Sequence, residues 1–159
     1  MPCPRCSARN KNGTQCKNNT CQQYPYCWIH LKSKDGLQIK NSSIPGFGKG
    51  LFATKDHRNN QKITDYSAKQ VSQNPDPAWR YVLQIGENRF LNSEDKSNFV
   101  GRYINDSRGT NKRPNVRFTK GSRIFQKQDR YTVPIVSTKN IKKGDELFLS
   151  YGSNFWRAQ

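Results

Sequence analysis

The chain has 159 residues, enough for one ordinary domain and a small additional module. Only 32% of them are hydrophobic and mean hydropathy is -1.02, which excludes a large apolar core and calls for a compact sheet core, a metal, or both. The net charge of +17 is spread as +9 over residues 1–75, -1 over 76–106 and +9 over 107–159, which points to a polyanionic partner, nucleic acid first. No run of 18 apolar residues exists and the N-terminus has no apolar stretch of signal-peptide type, so an intracellular protein without a membrane span is expected.

All five cysteines, Cys3, Cys6, Cys16, Cys21 and Cys27, fall in the first 27 residues, and His30 follows Cys27 by three. In an intracellular chain such clustering signals a metal more often than disulfides. Zinc takes four tetrahedral thiolate and imidazole ligands, and Cys27-x-x-His30 puts two of them on one short turn. The best tetrad is Cys6, Cys16, Cys27 and His30, with Cys21 the main competitor and Cys3 the next. Between Cys6 and Cys16 the pair Asn12-Gly13 signals a turn. Four protein ligands leave no open position, so a structural Zn2+ is expected.

From Leu37 onward the chain reads as short strands between turns. Residues 37–40 alternate, 42–50 form a glycine-rich loop, and 51–53 leave it as a strand. Residues 62–66 read as another strand. Asp76-Pro77 starts one helical turn over 76–79. Residues 81–85 and 89–92 flank Gly86-Glu87-Asn88 as a hairpin. A second hairpin is expected from 115–118 and 123–125 around Lys120-Gly121. Residues 132–136 form a strand in which Pro134 suggests an edge or a bulge. Residues 142–145 turn before a strand over 146–149. No long helical period and no internal repeat is present, so the class is mainly β.

Three pieces in order carry chemistry: IPGFGKGLFA at 44–53, GRYINDS…PNV from Gly101 to Val116, and KKGDELFLSYG at 142–152. Together they resemble the SET-domain family of protein-lysine methyltransferases over residues 37–156. Residues 5–31 resemble a short Cys/His module of large DNA viruses and protists, with the pattern C-x9-C followed by C-x-x-H. The resemblance implies a fold of several small sheets with a C-terminal pseudoknot, which strand patterns alone would argue against. It divides the chain into a zinc module (1–36), a SET domain (37–152) and a short tail closing the site (153–159). The small, basic chain looks like a virus-encoded or protist member, expected in the nucleus, the virion or a viral factory.

The reaction implied moves a methyl group in line from a sulfonium to an amine, so reactants must be held end to end away from water. The target ammonium must also be desolvated so that it loses its proton. Gly48-Lys49-Gly50 lets the backbone approach S-adenosylmethionine closely, and Lys49 can face its carboxylate. Asn105 offers its amide to the amino-acid part, the backbone of Asp106 reaches the adenine edge, and Arg102 is a further candidate on that wall. Tyr151 matches the family tyrosine whose hydroxyl sits where amine and methyl meet, and Tyr66 would line the same lysine channel. Leu149, Leu91 and Phe155 complete the substrate channel, and Trp156 is a candidate to stack on adenine.

The chain departs from the family pattern in three places. Asp106 stands where the family usually has His. Leu149 stands where Phe or Tyr usually limits the number of methyl groups, which implies room for di- or trimethylation. The usual cysteine-rich tail is missing, and residues 154–156 take its place. Because histone tails are basic, a +17 enzyme needs a locally acidic groove, expected around Glu87, Glu94 and Asp95, while the +9 segments grip nucleosomal DNA. The alternative is a weakly active or inactive SET-fold zinc protein that binds DNA or nucleosomes, and Asp106 is the residue that keeps it open.

Overall fold

Glycines cut the chain into short extended runs, and the first two pair directly. β1 (Leu37–Asn41) and β2 (Lys49–Ala53) form an antiparallel hairpin running from Leu37↔Ala53 to Asn41↔Lys49. Lys49 and Gly50 therefore belong to a strand rather than to the glycine-rich loop. Ser42 N–H donates to Gly48 O at 2.8 Å and closes that loop, in which Gly46 and Gly48 have φ of 81° and 69°. A β-carbon is disfavoured at such angles, so the glycines set the loop's path.

The computed structural model describes residues 5–20, 26–71, 82–86, 89–92, 100–119, 125–127 and 130–150. Cys3, Cys21, the turn expected at 76–79, the acids Glu87, Glu94 and Asp95, and residues 151–159 with Tyr151, Phe155 and Trp156 lie outside them.

The main sheet is built on two long strands, β3 (Lys62–Val71) and β9 (Arg130–Ser137), which pair antiparallel from Lys62↔Val136 to Lys69↔Arg130. β5 (Arg89–Asn92) pairs with the far end of β3, and β4 (Val82–Gly86) pairs with β5 as the expected hairpin. β7 (Val116–Phe118) and β8 (Phe125–Lys127) do not pair with each other. Both lie along the other edge of β9, β7 at 135–137 and β8 at 130–132. The eight residues of β9 offer room for two three-residue strands, which corrects the hairpin expected around Lys120-Gly121.

Pro134 is a second correction. It sits in an internal strand, opposite Asp65, and not at an edge. Its carbonyl accepts Thr119 N–H at 2.9 Å, so its missing N–H faces the same side, where β7 has ended and β8 has not begun. The proline thus falls where the ladder is already interrupted. The bulge lies on its neighbour, between Lys62 and Thr64 of β3.

Two residues of β6 (Asn105–Asp106) pair parallel with two of β10 (Phe148–Leu149). The loop between β6 and β7 grips β10 at both ends: Ser107 N–H donates to Leu149 O at 2.9 Å and Asn115 N–H to Phe148 O at 3.0 Å. On the other side Leu147 N–H donates to Leu51 O at 2.8 Å. Chain 147–149 is thereby enclosed by segments about 40 and 100 residues earlier, the pseudoknot arrangement. Leu147 and Leu149 are fully buried with Leu51, Ile104 and Ile135, and a leucine so buried contributes about 1.5–3 kcal/mol.

Helices are short, as the missing helical period implied. α1 (Trp28–His30) runs into a π turn, Leu31–Asp35, and Val100–Tyr103 is a 3-10 turn. Among the described residues no helix is long and apolar enough to cross a membrane. Gly101 in the 3-10 turn packs so closely on β3 that a β-carbon there would lie 2.5 Å from Asp65 O. Leu31 joins the same core as Leu37 and Leu51, which ties the cysteine-rich start to the sheets.

Asn115 is the buried staple of this architecture. Its Nδ2 donates to Glu146 O and its Oδ1 accepts Phe148 N–H, both at 2.9 Å. Asn115→Ala leaves two buried backbone groups unpaired, and urea unfolding is expected to show a loss of about 2–4 kcal/mol. A loss below about 1 kcal/mol would show that β10 is held by its backbone alone.

Candidate functional site

The cysteine-rich start folds into a small hairpin. Cys6 N–H donates to Asn18 O and Cys16 N–H to Ala8 O, both at 2.8 Å. The turn over 10–14 is tied by Thr14 N–H on Asn12 Oδ1 at 3.1 Å, with Gly13 at φ 80°. The hairpin brings Cys6 and Cys16 together, and α1 brings in Cys27 and His30. The four ligand atoms lie within 4.8 Å of one another, matching the first-choice tetrad.

Cys6 Sγ and Cys27 Sγ stand 3.5 and 3.4 Å from His30 Nδ1, and Cys16 Sγ stands 4.0 Å from Cys27 Sγ. A tetrahedral zinc with metal–sulfur bonds of about 2.3 Å and metal–nitrogen bonds of about 2.0 Å requires edges of about 3.8 Å between sulfurs and about 3.5 Å from sulfur to nitrogen. The donor set fits that ion in number, type and spacing. Burial raises the Cys27 thiol, but the His30 N–H, the Asn18 amide, the His30 ring and Cys6 outweigh it and bring it down to about 6. Cys16 moves the other way: the Asn18 N–H lowers it, but burial and the neighbouring Cys27 and Cys6 thiols win.

The second cluster is assembled by β2, β6 and the residues just before β10. Asn105 Nδ2 donates to Lys49 O at 3.0 Å and lies 3.4 Å from Glu146 Oε1. Glu146, only 7% exposed, accepts Ser42 Oγ–H at 2.7 Å, Ser43 N–H at 2.8 Å and Ser43 Oγ–H at 2.5 Å. One carboxylate therefore fixes the start of the glycine-rich loop and touches the asparagine of the opposite wall. A β-carbon on Gly50 would run into Glu146 Oε1, so this close approach requires glycine. Sequence reasoning missed Glu146. The signal was an acid placed after the Gly144-Asp145 turn, five residues before Tyr151, but its serine partners are more than 100 positions away.

The other candidates fall as follows. Lys49 is exposed and its Nζ donates to Asn41 Oδ1 at 2.8 Å. Gly48 has open space around its α-carbon. Arg102 is half-buried, with Nη2 donating to the Tyr103 hydroxyl at 2.9 Å and its guanidinium 4.9 Å from that ring's centre. Asp106 is buried, and its Oδ1 accepts Arg108 N–H at 2.7 Å, an Asx turn that shapes the loop leaving β6. Tyr66 is buried in β3 with its ring edge-on to Phe118 at 5.7 Å. Leu149 and Leu91 are fully buried in the core. Tyr151, Phe155 and Trp156 lie beyond the described residues.

The fold and these two clusters define a small mainly-β domain with a clamped glycine hairpin and a Cys3His cluster attached at its N-terminal side. A family model described as SET domain matches residues 48–152, and the chain belongs to the SET-domain family. No curated protein matches the chain in sequence. Among solved structures it is similar to a candidate histone methyltransferase of Plasmodium falciparum, with TM-score 0.53 and 22% identity, covering 76% of this chain and 96% of that one. It is also similar to polycomb repressive complex 2 (PRC2) of Chaetomium thermophilum, with TM-score 0.57 and 21% identity over 89% of this chain. An autoinhibited form of ctPRC2 bound to S-adenosylmethionine gives TM-score 0.57 at 21% identity over 90%. This chain spans 17% of each PRC2 chain.

Two outcomes follow from the geometry. Purified protein is expected to hold about one zinc per chain by elemental mass spectrometry, and His30→Ala to lose it. Chelation is then expected to lower the melting temperature by several degrees, whereas metal-free protein with an unchanged melting temperature would exclude a structural ion. Gly50→Ala, which drives the Glu146 carboxylate off Ser42 and Ser43, is expected to cost about 1–3 kcal/mol in denaturant unfolding, with most of the loss absent when Glu146→Ala is added.

Proposed function

We propose that the protein is an S-adenosylmethionine-dependent protein-lysine N-methyltransferase acting on a histone tail or another chromatin-protein lysine. The observation that carries this reading is the Gly50–Glu146–Asn105 arrangement within a SET-domain chain. It holds the strand backbone of the glycine hairpin rigidly against Asn105, and a preorganised polar wall of this kind suits a small ligand bearing both a carboxylate and an ammonium. The S-adenosylmethionine-bound PRC2 neighbour supports the choice of cofactor, and the histone methyltransferase neighbour supports the substrate.

S-adenosylmethionine, when bound, supplies an electrophilic methyl group on a sulfonium. Gly48, Lys49, Gly50, Arg102, Asn105 and the backbone of Asp106 are the residues assigned to hold it, with Trp156 on the adenine. Tyr66, Leu91, Leu149 and Phe155 are assigned to a dry channel that strips water from the incoming lysine and favours its neutral amine. Tyr151 is assigned the hydroxyl that orients that amine in line with the methyl group. Zinc in the N-terminal cluster is assigned a structural role only. A chromatin substrate places the protein in the nucleus or, for a virus-encoded member, a viral factory.

A second reading, a non-catalytic SET-fold zinc protein, is favoured by one observation: the Asp106 carboxylate is committed to the Arg108 N–H, and no imidazole is present at that position. The two readings separate experimentally. Calorimetry is expected to show S-adenosylmethionine binding, and a histone panel is expected to accept methyl groups. Tyr151→Phe should reduce transfer by at least about 100-fold while leaving cofactor affinity within about threefold. Mass spectrometry of the product is expected to show di- or trimethyl-lysine. Cofactor binding without transfer on any histone favours the second reading, and a product that stops at monomethyl-lysine refutes the role given to Leu149.

A further inference from the structure

Five cations that the site does not use lie on the turns and loop at one end of the main sheet. There the turn 57–61, the turn 138–140 and the loop leading into β7 lie side by side. Asn59 N–H donates to Asn140 Oδ1 at 2.9 Å, Ser137 Oγ–H to Arg58 O at 2.5 Å, and Thr138 N–H to Asn115 O at 2.9 Å. Adjacent strand ends stand about 5 Å apart, so the rim they form is on the order of 10–15 Å wide. It carries Arg58, Lys112, Arg113, Arg117 and Lys139, all exposed. None of these five side chains makes a hydrogen bond or ion pair among the described residues.

The acids of the surrounding loops are already engaged. Asp56 accepts Lys143 N–H at 2.9 Å and Lys142 Nζ–H at 3.3 Å, and these contacts hold its carboxyl below the usual range. Asp145 Oδ2 accepts Lys142 N–H at 2.9 Å. Asp106 is buried on the Arg108 N–H. None of these acids is bonded to a rim cation, so the rim cations have no carboxylate partner among the described residues, and their mounting is stiff because each turn is bonded to the next.

The chemistry of the rim selects its partner. A protein partner would need aromatic or apolar anchors at its centre, and single-stranded nucleic acid would need rings on which bases stack. Among the described residues the exposed large apolar side chains are Ile29 and Phe47, one on α1 and one in the glycine-rich loop, neither on the rim. A group of exposed cations without stacking groups suits an array of phosphates. We propose that this rim is a sequence-independent binding surface for the phosphate backbone of duplex DNA, which presents the chromatin substrate to the methyl-transfer site. The last clause rests on the methyltransferase reading, and the DNA-binding surface does not.

Fluorescence anisotropy with a short labelled DNA duplex tests it on the full-length protein. Log affinity is expected to fall with log salt with a slope of about -4 to -5, from about -0.9 per cation. Lys112→Gln/Arg113→Gln/Arg117→Gln is expected to weaken binding at least about tenfold and to flatten the slope by about 3. Lys11→Gln/Lys17→Gln/Lys34→Gln removes the same charge from the Cys/His hairpin and the following helix, and is expected to change affinity less than about threefold. Circular dichroism and melting temperatures matching the parent exclude misfolding in either variant. Equal losses in the two variants overturn the rim, as does tighter binding of single-stranded DNA or of duplex RNA. Methyl transfer to a free histone-tail peptide, measured in parallel, is expected to be the same in both variants. Transfer without duplex binding sinks this inference alone, and duplex binding without any transfer sinks the methyltransferase reading alone.

Discussion

The fold depends on two residues of β10 lying parallel to two residues of β6, a pairing too short to persist on its own. It persists because the segment is held from three directions. Leu51 O takes the N–H of Leu147, the Asn115 amide bridges Glu146 O and Phe148 N, and the Ser107 N–H and hydroxyl both reach Leu149 O. These bonds are buried, where a lost partner costs the full desolvation of the group left behind. The same enclosure positions the candidate site: Lys49 O, the Asn105 amide and the Glu146 carboxylate meet because β2, β6 and the residues leading into β10 are bound to one another there.

Low hydropathy explains why the molecule uses two different centres of stability. The sheets share one cluster of apolar side chains, whereas among the described residues of 5–30 the buried apolar cluster is Cys6, Ala8, Cys16 and Cys27. A segment of about 30 residues is too short to hold a large apolar core, and a Cys3His donor set at tetrahedral spacing is the compensation its sequence offers. Leu31 joins the centres, and Thr54 reinforces the junction through its N–H on Gly36 O at 2.8 Å and its hydroxyl on Lys32 O at 3.0 Å.

Local features were legible and nonlocal pairing was not. The β4–β5 hairpin, the strands on either side of the glycine-rich loop, the turn before Glu146 and the thiol–imidazole tetrad each show themselves within a few tens of residues, through alternation, glycine or cysteine spacing. The shared use of β9 by β7 and β8 could not be read, because three-residue strands carry no register signal of their own. Pro134 misled because the rule assigning proline to edges concerns the missing N–H, and here that side of the strand was already open. The parallel pair and the role of Glu146 require residues 42–43, 105 and 146 to converge, which no local pattern encodes; the family resemblance implied the pseudoknot but not this carboxylate. Asp106 illustrates a different limit: the sequence marked it as an unusual residue, but its Asx turn with Arg108 emerges only from the backbone.

Charge placement follows from the same geometry. The carboxylate of Glu146 is held by two hydroxyls, one backbone N–H and one side-chain amide, with no lysine or arginine bonded to it among the described residues. Neutral donors stabilise a carboxylate without cancelling its field, whereas an ion pair would largely neutralise it. A protein of net charge +17 thus keeps an uncompensated acid in the wall of its glycine hairpin and, on a rim at the end of its main sheet, cations with no carboxylate partner among the described residues. Under the proposed reading the two serve opposite ligands: the acid favours a cationic cofactor and a lysine, and the rim favours the phosphates around which basic histone tails are held. Long-range repulsion of a free tail by the whole protein is then less of an obstacle, because the tail arrives on a polyanion that the rim attracts.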